Sequence, residues 1–182
     1  MGIFEKSEEK VLTMEIAEQF VNVRRSSLRL EEFSILDDGV ADVLVEGINN
    51  LGFSTLDLSG LTKLSDTEIE SLSKFEGSDL ILNGLTSLSD AAAESLSKWT
   101  GSPHMVENDH SLTLWGITSL SDSAAESLGK FTGYNLRLLY LTELSDKGAK
   151  GLSKFEGEEF QIGTPSSASA AQILRDAGHL YG

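Results

Sequence analysis

The chain has no cysteine, which excludes disulfides, thiolate metal sites and a cysteine nucleophile. Basic residues are scarce: 14 Lys and Arg stand against 29 Asp and Glu, for a net charge of −15. A surface of that sign repels phosphate backbones, so nucleic acid is not an expected partner. A basic protein surface or peptide is compatible with it, and the charge also serves solubility. No apolar run approaches the ~20 residues of a membrane helix. The opening residues, MGIFEKSEEKVL, lack a basic segment followed by an apolar one. The expectation is no membrane association and a cytoplasmic location. The three histidines, His104, His110 and His179, are scattered, and no G-x-S-x-G, H-E-x-x-H or G-x-x-x-x-G-K-[ST] pattern occurs. With no convergent titratable groups, the expectation is a protein that is not an enzyme, with no catalytic residue, cofactor or metal.

What is present is repetition. The 182 residues, 40% apolar and 24% charged, are enough for one ordinary domain. An L-x-L triplet opens each of several units: LRLEEFSILDD from Leu28, LDLSGLTKLSD from Leu56, LILNGLTSLSD from Leu80, LTLWGITSLSD from Leu112 and LRLLYLTELSD from Leu136. A sixth, FQIGTP from Phe160, begins and then departs. The base period is 24 residues, with four extra before Leu56 and eight before Leu112. Such self-similarity marks a stack of supersecondary units.

Each unit reads as a strand and then a helix. In the first half Leu80 and Leu82 point one way and Ile81 and Asn83 the other. In LSDTEIESLSKFEG, Leu64, Ile69, Leu72 and Phe75 share one helical face. Ser65 is placed as N-cap, Glu68 completes a capping box, and Leu64 with Ile69 forms a hydrophobic staple. The staple recurs as Leu88 with Ala93, Leu120 with Ala125, and Leu144 with Ala149. Asp66, Asp90, Asp122 and Asp146 fall in first helical turns, where negative charge suits the helix dipole. A calcium ladder of these aspartates is the sharper alternative, but the helices are too far apart for two carboxylates to share an ion. Gly77, Gly101, Gly133 and Gly157 are expected to close the helices as left-handed caps. Phe75, Trp99, Phe131 and Phe155 line up as a core spine rather than a cofactor box.

The domain reading is an N-terminal capping helix over 1–27, strand–helix repeats over 28–163 with units from 28, 56, 80, 112, 136 and 160, and a C-terminal capping helix over 164–182. LTMEIAEQFVNV aligns with LSDTEIESLSKF and places Ala17, Phe20 and Val23 inward; Ala171 and Leu174 do the same in the closing helix. Atypical terminal units are what a stacked array requires.

These units resemble leucine-rich repeats, most closely short bacterial repeats of the 24-residue class. There a strand LxLxx precedes a helix beginning DxGAxxLA. LSDKGAKGLSKFEG matches that helix at Asp146, Gly148, Ala149 and Leu152, and the resemblance covers about residues 12 to 163. It implies an α/β fold: a right-handed solenoid with a parallel sheet on the concave face and helices on the convex face. Strands stack ~4.8 Å apart and helices ~8–10 Å, a mismatch that bends such a coil. One feature departs from the family. Where most leucine-rich repeats carry an asparagine whose side chain bonds the turn, this chain has Phe33, Leu61, Leu85, Ile117 and Leu141. The adjoining column Thr62, Thr86, Thr118 and Thr142 is expected to supply hydroxyls to the turn backbone.

Two places carry individuality. The insertion SPHMVENDH, Ser102 to His110, holds Glu107, Asp109 and two histidines. It can be read as a metal site but is expected to be solvated surface. The outward strand positions vary between units: Arg29 and Glu31, Asp57 and Ser59, Ile81 and Asn83, Thr113 and Trp115, Arg137 and Leu139, and Gln161. Trp115 and Leu139 are too apolar to face water without cause, and Tyr140 replaces a glycine found at this place in three units. The expected function is a protein- or peptide-binding module, with Trp115, Thr113, Arg137, Leu139, Tyr140, Asn83 and Ile81 at the partner surface. Packing of these residues on each other or on a neighbouring loop is the plainer reading. The expected oligomeric state is monomer, and the alternative function is a structural or assembly segment of a larger scaffold or surface protein.

Overall fold

The computed structural model describes residues 9–22, 29–102 and 109–179. Leu28, Val23 and the His104 and Glu107 of the insertion lie outside the described residues. The L-x-L triplets from residue 56 onward form the strands of one parallel sheet. Its strands are β3 (Thr55–Asp57), β4 (Asp79–Ile81), β5 (Ser111–Thr113), β6 (Asn135–Leu138) and β7 (Glu159–Ile162), in that spatial order. Leu56, Leu80, Leu112, Leu136 and Phe160 are register partners across it. The eight extra residues before Leu112 leave that register unchanged, because they are absorbed in the loop ahead of β5.

The first unit differs from the sequence expectation. Its described triplet residues are not in the sheet: Leu30–Glu32 forms a 3₁₀ turn. The layer still aligns, since a Cβ placed on Gly60 would meet the carbonyl oxygens of Glu31 and Phe33 at 2.3 Å. The strand pairing in this layer occurs later, where β1 (Val11–Leu12) runs parallel to β2 (Ile35–Leu36) just ahead of the helices.

Helices alternate with the strands: α1 (Met14–Asn22), α2 (Val40–Leu51), α3 (Asp66–Leu72), α4 (Asp90–Ser97), α5 (Asp122–Leu128), α6 (Asp146–Leu152) and α7 (Ala168–Asp176). Each packs on the next in chain order. The four extra residues before Leu56 lengthen α2, which has 12 residues where α3 has seven. Ser65 caps α3 in a capping box with Glu68, and Ser89, Ser121, Ser145 and Ser167 cap α4 to α7. The hydroxyls that cap α4 to α7 also reach the preceding helix. Ser89 Oγ donates to Asp66 of the preceding helix, Ser121 to Asp90 and Ser145 to Asp122. Ser169 Oγ donates to Asp146 at 2.6 Å. The aspartates therefore join layers as well as complementing helix dipoles.

The core lies between sheet and helices. Leu72, Leu96, Leu128 and Leu152 are fully enclosed. Phe75, Trp99, Phe131 and Phe155 stack with centroids 6.4, 6.1 and 6.3 Å apart and nearly parallel rings. Burying one such side chain contributes ~1.5–3 kcal/mol. Trp99 Nε1 donates to the Phe75 carbonyl at 2.6 Å, so the one indole in the spine has its polar edge satisfied.

The glycines that follow the aromatic column have a different cause from the expected one. The helices end earlier, with right-handed caps at Ser73, Lys98, Gly129 and Ser153. Of the four glycines only Gly101 has a positive φ. A Cβ on Gly77, Gly133 or Gly157 would lie 2.1–2.3 Å from the ring of the phenylalanine two residues earlier. It would also lie 2.4–2.5 Å from a carbonyl oxygen of the layer below. Close approach, not chain reversal, requires glycine there. Left-handed glycines follow α2 at Gly52 and α7 at Gly178.

The turns after the strands close without an asparagine. Leu61, Leu85, Ile117 and Leu141 are buried, and their N–H groups donate to the carbonyls of Leu58, Leu82, Leu114 and Leu138. Thr62, Thr86, Thr118 and Thr142 are exposed, contrary to the role expected of their hydroxyls. The layer contact there is made by backbone, with Thr142 N–H donating to Thr118 O at 3.0 Å.

Candidate functional site

Alternation along β3–β7 sends one set of side chains into the core and the other onto the open face of the sheet. Register fixes two rows on that face. Thr55, Asp79, Ser111, Asn135 and Glu159 form one; Asp57, Ile81, Thr113, Arg137 and Gln161 form the next. Beyond the strand ends follow Ser59, Asn83, Trp115 and Leu139. Ile81, Asn83, Trp115 and Arg137 are half-buried, while Leu139 and Tyr140 are exposed, at 37% and 62%. Thr113 departs from expectation: it is only 5% exposed, a short side chain held between the longer Ile81 and Arg137 on either side. It is a floor residue rather than a contact residue.

The face is acidic and internally bonded. Asp57 Oδ1 accepts from the N–H of Ser59 at 2.9 Å and from its hydroxyl. Asp79 Oδ2 accepts from Ser78 Oγ at 2.8 Å. Asn83 Oδ1 accepts from the N–H of Trp115 at 3.2 Å, so this asparagine holds the tryptophan's turn in place. Glu159 gathers its neighbours: the Asn135 side chain, Gln161 Nε2 at 2.5 Å and Arg137 Nη2 at 3.4 Å. These donors, Asn135 first and Gln161 next, hold the Glu159 carboxyl below its ordinary range and keep it ionised.

Three buried polar atoms on this face have no hydrogen-bond partner: Trp115 Nε1, Asn135 Oδ1 and Arg137 Nε. Each unsatisfied group costs about 1–3 kcal/mol. They belong to adjacent residues, two on β6 and one just past β5. Sequence reasoning placed Trp115 and Arg137 here but missed Asn135, which is 5% exposed, and Glu159. The period-2 pattern extends one residue before the first leucine of each unit, and that extension was the available signal.

Tyr140 is the odd turn residue. A Cβ on Gly84 or Gly116, at the same place in other units, would lie 2.3–2.5 Å from two carbonyl oxygens of the turn below. A tyrosine there requires its turn to stand further off, and its side chain is largely exposed.

The other sequence candidates lie elsewhere. His110 is not in solvated surface: it is 3% exposed, wedged edge-on between Trp99 and Phe131 at 5.1 Å from each. Its Nε2 lies 3.1 Å from the Trp99 carbonyl, and burial pushes its pKa below the ordinary 6.5. His179 packs its ring on Phe160. Among the described residues no three His, Asp or Glu side chains are placed to hold a metal, and no helix is long and apolar enough to cross a membrane. A cleft of about 470 Å³ lies at loops 129–134 and 154–158, away from the sheet face.

No protein-family model matches the chain, and no curated protein is significantly similar to it.

Proposed function

We propose that the chain is a leucine-rich-repeat-like solenoid that binds a protein or peptide on the open face of its sheet. In this reading the coil is right-handed, with the sheet concave and the helices convex. The contact surface is centred on Trp115, Arg137, Leu139 and Tyr140, flanked by Ile81 and Asn83, with Thr113 as its floor. One observation carries the reading: three buried polar atoms without partners, in Trp115, Asn135 and Arg137, gather beside two exposed apolar side chains. Folded proteins satisfy nearly all such atoms, and the exceptions concentrate where function tolerates the cost. Aromatic and arginine side chains are also the types that dominate binding energy. The chemistry the face offers is hydrogen bonding and apolar contact. Partner capture comparing the wild type with Trp115→Ala and Tyr140→Ala tests the proposal. Reduced recovery of a specific partner by both variants is expected; equal recovery of every partner sinks the assignment.

The second reading is a segment of a larger assembly. It draws on β7, a terminal strand of the sheet, which among the described residues pairs with β6 alone. Solution size measured against concentration separates the two, because edge-to-edge association grows with concentration while a monomeric binding module keeps one size.

A further inference from the structure

We propose that the occupant of the sheet face is an extended peptide segment with basic side chains. Its main chain is recognised by Asn135 and Arg137, and its cationic groups by Asp57 and Asp79. This rests on the reading of the face as a binding surface and adds the chemistry of the partner.

The main-chain part follows from which atoms lack partners. Asn135 Oδ1 is an acceptor and Arg137 Nε a donor, two residues apart on one face of β6. That spacing is about 6.6 Å, the interval at which an extended peptide repeats its N–H and C=O groups on one side. A peptide unit brings one donor and one acceptor together. A ligand offering only acceptors leaves Asn135 Oδ1 unsatisfied, and one offering only donors leaves Arg137 Nε so. Trp115 Nε1, a second lone donor past the neighbouring strand, takes a further carbonyl. Access requires one side chain to move, and Arg137 is the one held least. It is about a third exposed, and its bond to Glu159 is long at 3.4 Å. Glu159 keeps Gln161 and Asn135 when Arg137 swings away.

The basic part follows from charge. The face carries Arg29 and Arg137 against Glu31, Asp57, Asp79 and Glu159. Arg29 is taken by Glu31 at 2.7 Å and Arg137 by Glu159. Asp57 and Asp79, on adjacent strands, accept from hydroxyl and backbone donors; neither is in an ion pair with a described cation, and Arg29, bonded to Glu31, reaches Asp57 only by a weak longer-range attraction. Asp79 lies two strands from Asn135, about 10 Å away and within reach of a long basic side chain. An acidic segment meets repulsion here, reinforced by the net charge of −15. The exposed ring of Tyr140 and the half-buried Trp115 add faces over which a cation is stabilised.

The test is selection of random linear 12-residue peptides, displayed on phage, on the immobilised folded chain, with affinities then measured by fluorescence anisotropy on synthetic copies. Enrichment of Lys and Arg is expected. Affinity should fall about tenfold in Asn135→Leu and in the pair Asp57→Asn with Asp79→Asn, and rising salt should weaken binding. Glu18→Gln with Glu70→Gln, an equal change of charge on exposed positions of α1 and α3, should leave it unchanged. Peptides that lose affinity in Trp115→Ala and Tyr140→Ala but carry no basic enrichment, or ignore the aspartate pair, overturn this inference and keep the face as a binding surface. Basic peptides that ignore Trp115→Ala, Tyr140→Ala and Asn135→Leu alike overturn the sheet-face reading itself. Selection of nothing above background overturns both.

Discussion

The link between Ser121 and Asp90 can be measured by a double-mutant cycle. Ser121 Oγ accepts the Ala124 N–H at 3.0 Å as the cap of α5 and donates to Asp90 at the start of α4. Ser121→Ala removes both bonds. Loss of the cap costs ~1 kcal/mol, and loss of an exposed bond to a carboxylate adds about 0.5–1 kcal/mol. Asp90→Ala removes the same inter-layer bond and the charge at the α4 N-terminus, the latter worth ~0.3–1 kcal/mol. The double variant loses the shared bond only once, so the two effects fall short of additivity by about 0.5–1 kcal/mol. Asp90→Asn retains an acceptor and should retain most of the coupling. Urea unfolding at fixed pH and salt measures all four chains. Melting temperature gives a second readout, with ~2–4 °C per kcal/mol for a chain of this size. Additivity within about 0.3 kcal/mol refutes the inter-layer bond and returns the aspartates to a helix-dipole role alone.

Four further outcomes are expected. Gly157→Ala places a Cβ 2.2 Å from Phe155 Cζ and 2.4 Å from Gly133 O. It should cost about 1–3 kcal/mol by chemical denaturation, with a smaller cost in a Phe155→Leu background. Trp99→Phe keeps the ring stack but removes the 2.6 Å bond to Phe75 O, and thermal unfolding should show a loss of about 1–3 kcal/mol. His110 has a folded pKa lowered by burial, so the unfolded chain takes the proton first. Its contribution is intact above about 6.5 and is lost as pH falls from there through the lower folded value; the drop in urea midpoint between pH 7.5 and 5.5 should shrink in His110→Asn. Glu159 has the same sign of behaviour in the carboxyl range: its lowered pKa gives stability that is present above the ordinary carboxyl value and is lost as pH falls through the folded one. Glu159→Gln should therefore flatten the acid limb of a pH–stability curve and leave the neutral region's slope unchanged.

Much of the architecture was legible because it depends on local rules repeated in register. Leucines spaced by two, a serine before an aspartate and an aromatic eleven residues past each staple leucine describe one strand, one capped helix and one core position per unit. Where a rule needed a neighbour, the reading slipped. The glycines after the aromatic column looked like helix caps by position alone, yet it is the Phe131 ring and a carbonyl of the preceding layer that exclude a side chain at Gly133. The threonine column looked like a substitute for an asparagine ladder, but the turn had already closed on its own backbone. His110 sat in a polar stretch and so looked solvated; only the gap between two stacked rings puts it inside.

The sequence by itself determined the unit, its 24-residue period, the order of strand and helix and the inward leucine columns. These follow from side-chain periodicity and capping, which act within a few residues of chain. The tertiary structure decided which polar atoms are left without partners. Asn135 and Arg137 sit two apart on β6, Trp115 lies one repeat earlier, and the three carry no shared motif. Their adjacency and their unsatisfied atoms arise when parallel strands bring residues 22 to 24 positions apart side by side and exclude water from between them. Desolvation belongs to the packed surface, not to any one residue, and it is what marks this face as the place to look for a partner.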